Sequence, residues 1–121
     1  MSEQKNRLEK SVEVGKLLAV YAPMLTERQQ LALRMHFDED YSLSEIADTL
    51  QVSRQNVHDL IVRSSQKLKK YEEALQVVER MGQWRMQLDE AIELLTHTEV
   101  AKEEKGKHAI NILTQISETI E

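Results

Sequence analysis

The sequence predicts an all-α fold, and three observations carry that prediction. Leu, Glu, Gln, Lys, Arg, Ala and Met, all strong helix formers, dominate the 121 residues, while aromatic residues make up only 4%. Turn formers are scarce: one proline, Pro23, and three glycines, Gly15, Gly82 and Gly106, leave little to punctuate a set of short strands. Apolar residues recur at spacings of three and four, the period of an amphipathic helix. With 40% apolar content there is enough for one core, so a single all-helical domain over residues 1–121 is expected.

The first helix is expected over about residues 4–21, with Leu8, Val12, Leu17, Leu18 and Tyr21 on one face, and Pro23 then forces a break. Thr26 followed by Gln29 has the spacing of a capping box, in which the hydroxyl takes a free backbone N–H and the amide reaches back. The helix it starts should end near Phe37, because Asp38, Glu39 and Asp40 place negative charge where a helix C-terminus disfavours it. Ser42 and Glu45 repeat the box ahead of a short helix over about residues 43–50, with Ile46, Ala47 and Leu50 inward. Ser53 is the expected N-cap of a further helix whose buried stripe is Val57, Leu60, Ile61 and Leu68.

From Tyr71 the spacing gives Tyr71, Ala74, Val78, Met81, Leu88, Ile92 and Leu95, with Arg85 standing where an apolar residue is due. This predicts a long amphipathic arm. After a polar segment over residues 96–107, Ala109, Ile112, Leu113, Ile116 and Ile120 mark a last helix, and the two are expected to pair as an antiparallel hairpin. The arm, residues 71–121, either folds back as core or pairs with a second subunit. Met81 and Trp84 near its exposed edge favour the second, so a homodimer is expected.

The formal net charge of −5 argues against a polyanion partner, but it is unevenly spread. Residues 26–71 hold seven basic and seven acidic side chains, whereas residues 72–121 hold five basic against eleven acidic. Within the middle block, Arg54, Arg63, Lys67, Lys69 and Lys70 face one carboxylate, Asp59, over residues 54–70. That stretch is the candidate polyanion-facing surface.

Residues 43–62 meet the packing demands of a helix-turn-helix: small Ala47 for a close crossing, Val52 to plug the turn, Val57 and Ile61 to seat the second helix. With those inward, Arg54, Gln55, His58 and Asp59 point outward, where a recognition helix presents side chains to base edges in the major groove. Arg54 suits guanine and Gln55 adenine, since each can bond its base at two points. Arg28, Ser42, Ser53, Arg63 and Lys67 are placed for phosphate. Double-stranded DNA is the expected partner and residues 26–70 the binding core. Gln51 stands where many such turns have glycine, which tolerates a left-handed backbone better. Two other readings stay open: two packed helices with no further role, and a helix-turn-helix turned into a protein docking surface.

The run Leu25-Thr-Glu-Arg-Gln-Gln, the segment Asp40-Tyr-Ser-Leu-Ser-Glu-Ile-Ala and the segment Val52-Ser-Arg-Gln-Asn-Val resemble the promoter-binding fourth region of bacterial sigma factors, over about residues 25–68. Together with Asp59, Arg63 and Tyr71-Glu-Glu, they are more closely similar to the YlxM family of small bacterial proteins, over nearly the whole chain. The genes of that family sit beside those for the signal recognition particle GTPases. The resemblance therefore implies a sigma-region-4-like helix-turn-helix core with a helical C-terminal arm. It implies either a DNA-binding regulator or a protein that contacts signal recognition particle components, a GTPase or its ribonucleoprotein.

Other chemistries find little to rest on. No cysteine is present, so thiolate metal sites and thiol nucleophiles are excluded and the reducing cytoplasm is the expected compartment. No apolar run approaches the ~20 residues of a membrane span. His36, His58, His97 and His108 show no ligand spacing, and Asp38, Glu39 and Asp40 are consecutive carboxylates expected to be solvated. With no Gly-rich phosphate loop and no nucleophile elbow, neither an enzyme nor a cofactor is expected.

Overall fold

The structure, a computed structural model, describes residues 2–120. Among them are six α-helices and no strand: α1 (Ser2–Tyr21), α2 (Glu27–Phe37), α3 (Leu43–Leu50), α4 (Arg54–Leu75), α5 (Val77–Thr96) and α6 (Glu104–Thr119). Two compact units divide the chain, Met1–Gln76 and Val77–Glu121. No helix among the described residues is long and apolar enough to cross a membrane.

In the first unit, local chemistry sets the helix ends. Thr26 Oγ1 accepts the Gln29 backbone N–H at 3.2 Å while Gln29 Oε1 accepts that of Thr26 at 3.0 Å, so the expected capping box starts α2. Pro23 falls in a short 3₁₀ turn, Ala22–Met24, that separates α1 from it. The core gathers Val14, Leu17, Leu18 and Tyr21 of α1, Leu33 and Met35 of α2, and Ile46 and Ala47 of α3 around Val57, Ile61 and Leu68 of α4. Ser64 is buried in that stripe and satisfies its hydroxyl by donating to the Leu60 carbonyl at 2.6 Å. Where α1 meets the end of α4, Tyr21 donates to Glu72 Oε1 at 2.6 Å and its ring lies 5.9 Å from that of Tyr71.

Two expectations are corrected here. Leu8 and Val12 are 67% and 51% exposed and belong to no core, while Val14 does. At 3.6 residues per turn, Leu8 and Val12 lie roughly a third of a turn or more from the face that Val14, Leu17 and Tyr21 share. The amphipathic arm does not begin at Tyr71 either. Helix α4 runs on through Leu75, and Gln76, at φ 53° and ψ 31°, ends it in the left-handed region before α5 starts. Its N–H closes on the Glu72 carbonyl at 2.8 Å, so the break satisfies its backbone without glycine or proline.

The second unit is an antiparallel hairpin of α5 and α6, joined by a 3₁₀ turn at Glu99–Lys102. Arg85, the odd residue of the α5 stripe, donates through Nη1 to the Ile120 carbonyl at 2.9 Å and so caps the far end of α6. Asp89, one turn on, accepts from the Ser117 hydroxyl. Gly106 is buried where α6 passes the 3₁₀ turn: a Cβ there would sit 1.7 Å from the Val100 carbonyl oxygen.

Candidate nucleic-acid interface

The interface is built on the junction of α3 and α4. Ser42 accepts the Glu45 backbone N–H at 3.1 Å, and Glu45 Oε1 accepts that of Ser42 at 3.1 Å, fixing the start of α3. The Ser42 backbone N–H, and then its hydroxyl, hold the Glu45 carboxyl below the usual carboxylate range. Gln51 closes α3 in the left-handed region, at φ 57° and ψ 47°, and the Val52 N–H returns to the Ala47 carbonyl at 3.0 Å. Ser53 then accepts the Asn56 N–H at 3.1 Å and starts α4.

That turn, with Val57 and Ile61 buried, leaves Arg54, Gln55, His58 and Asp59 all exposed on the first two turns of α4. Gln55 Nε2 donates to Asp59 Oδ1 at 3.1 Å, and His58 Nδ1 lies 3.6 Å from the same oxygen. Asp59 therefore holds Gln55 by a hydrogen bond, with His58 beside it. Ser42 and Ser53 are exposed, and their oxygens are occupied as caps; the Ser53 hydroxyl hydrogen is left to donate outward, while that of Ser42 also serves the Glu45 carboxylate. Arg63 and Lys67 are exposed further along α4, and Arg28 is exposed on the first turn of α2. Among the described residues, none of Arg54, Arg63, Lys67, Lys69 and Lys70 is in an ion pair. Of these, Arg54 lies in the first turn, where its charge adds to the positive end of the α4 dipole.

The family model described as "Putative helix-turn-helix protein, YlxM / p13 like" matches residues 8–111. The chain belongs to this family, UPF0122. A UPF0122 protein of Symbiobacterium thermophilum is 40% identical over 97 residues, covering 80% of this chain and 91% of the relative. One from Desulforamulus reducens is 42% identical over 86 residues, 71% of this chain and 74% of its own. A third, from Oceanobacillus iheyensis, is 39% identical over 89 residues, with 74% and 84% covered. The UPF0122 description is of a helix-turn-helix and not of a reaction.

In this UPF0122 chain the sequence pointed to one side of α4 and missed the other. A cleft of about 860 Å³ runs between α1, the loop after α2 and the α4 face that holds His58, Ser65 and Lys69, and Arg7 and Lys10 also line it. Arg7 and Lys10 gave no local signal, being isolated cations on a helix. The signal that does exist is their register, since they continue the stripe of Val14, Leu17 and Tyr21 toward the N-terminus.

Proposed function

We propose that this protein is a DNA-binding regulator that reads duplex DNA through α4, with Arg54, Gln55, His58 and Asp59 at base edges in the major groove. Arg28, Ser42, Ser53, Arg63 and Lys67 hold phosphates. The observation that carries this reading is the state of α4: an outward quartet behind a capped turn, followed by cations that are in no ion pair among the described residues. Asp59 takes one amide hydrogen of Gln55, leaving the other hydrogen and the amide oxygen for the two-point pairing that adenine accepts. Arg54 would take guanine in the same way. Residues 26–70 form the binding core in this reading. Residues 77–121 join two copies, which would engage two half-sites and gain affinity without new contacts per subunit.

Selection from a random-duplex library at two salt concentrations, with the parent and Arg54→Ala side by side, tests it. An enriched sequence is expected, with Arg54→Ala losing about 1–3 kcal/mol on it and Lys67→Ala weakening all sequences alike. Parent-like binding of every duplex by both variants would sink the assignment.

A second reading, an accessory that contacts a signal recognition particle GTPase or ribonucleoprotein instead of DNA, has one observation in its favour. The hairpin exposes Trp84, Leu94 and Ile116. Capture of purified particle components that survives Arg54→Ala and is lost in Trp84→Ala with Ile116→Asn supports this reading; no capture removes it.

A further inference from the structure

We propose that α1 is the second wall of the nucleic-acid interface: the phosphodiester backbone of one strand enters the cleft between α1 and α4 and is held by Arg7 and Lys10 on one side and Lys69 on the other. The proposal rests on the reading of α4 as a duplex-binding helix and extends it to residues that no helix-turn-helix pattern marks.

The first support is a change of chemistry along one face of α1. Val14, Leu17, Leu18 and Tyr21 are buried, and the same face continues at helical spacing to Lys10 and Arg7, which line open space instead of core. A stripe that turns from apolar and buried to cationic and exposed gives the α1 side of the cleft a positive wall, above a floor that also holds Phe37, Ile61 and Val62.

The second support is where the cleft opens. His58, one of the outward quartet, lines it, and so does Lys69 three turns on, so the cleft begins at the base-facing end of α4. At 1.5 Å per residue that wall is roughly 16 Å long. Successive phosphates of one strand lie farther apart than the duplex rise of about 3.4 Å per nucleotide, so a wall of that length seats two or three of them.

The third support is the distribution of charge. The lining residues that belong to α1 and α4 include three fixed cations and no carboxylate, while Asp38 and Asp40 line the cleft from the loop after α2. Asp40 lies 3.9 Å from Arg7, with both side chains at least 75% exposed. An exposed pair of that kind contributes little and yields to a phosphate, which offers Arg7 a better fork of oxygens. Ser65, in the α4 wall, has a hydroxyl oxygen without a hydrogen-bond partner. An acidic amphipathic segment of another protein would meet the same cations. The continuity of the cleft with the base-facing end of α4 favours a nucleic-acid strand.

The test is the salt dependence of binding to the enriched duplex and to a non-specific duplex. Parent, Arg7→Gln with Lys10→Gln, Lys69→Gln, Asp40→Asn and Arg54→Ala are compared. All five positions are exposed, and Asn tolerates the left-handed backbone of position 40, at φ 56°. The double variant should bind both duplexes more weakly and lower the slope of log affinity against log salt by about 2, and Lys69→Gln by about 1. Asp40→Asn should bind more tightly at low salt. If Arg54→Ala loses the preferred sequence while the cleft variants keep the parent's affinity and slope, the cleft proposal is overturned and the α4 reading stands. That outcome includes the case in which the cleft seats a protein. A parent that binds neither duplex overturns both.

Discussion

Gln51 sits in the left-handed region at the one place where α3 must stop and α4 must leave at an angle. An L-residue there carries a steric cost of roughly 1–2 kcal/mol that glycine avoids, partly offset by the greater freedom of glycine in the unfolded chain. Gln51→Gly should therefore stabilise the first unit by about 0.5–1 kcal/mol in denaturant unfolding. An unchanged or lowered midpoint would count against strain at the turn. Both capping boxes were legible because cap chemistry is local: Thr26 with Gln29 and Ser42 with Glu45 need only three residues of sequence. Arg85 was legible only as an interruption, because its partner, the Ile120 carbonyl, lies 35 residues away. Arg54, Gln55, His58 and Asp59 were readable as outward-facing because the inward positions beside them are apolar. Arg7 and Lys10 were not, since nothing near them in sequence says what they face.

At the scale of the element, period tells which residues share a face and not whether anything covers it. Leu8 and Val12 were assigned to the core for that reason, and they are exposed. The end of α4 was hidden for a related reason: Gln76 is a good helix former, and its left-handed conformation has no local mark in the sequence. Gly106 shows the opposite case, where a residue is needed for what it lacks. Alanine normally favours a helix interior over glycine by about 1 kcal/mol, and Gly82, with open space around its Cα, should show that gain. Gly106→Ala instead drives a methyl into the Val100 carbonyl, and a net loss of about 1–3 kcal/mol is expected. Trp84, the one tryptophan, lies in α5 and reports the unfolding of this hairpin by its fluorescence. Equal gains from both substitutions would refute the close approach.

For the whole molecule, the buried apolar side chains are concentrated in the first unit, while α5 has no buried residue and Ile120 is the one buried apolar side chain described in the second. A chain cut after Gln76 should keep a single cooperative unfolding transition and Arg54-dependent duplex binding. Residues 77–121 alone should lack a cooperative transition at low concentration, because a hairpin of this size buries too little. Loss of folding in the shortened chain would show that the first core depends on the second unit. The Tyr21–Glu72 hydrogen bond joins residues 51 apart and places the last turns of α4 against α1. On the ribosome, at about 5–20 residues per second, Tyr21 precedes its acceptor by roughly 3–10 s. For those seconds the nascent first helix carries its apolar stripe without the helix that seats it, so α1, made first, waits for α4 before that stripe is covered.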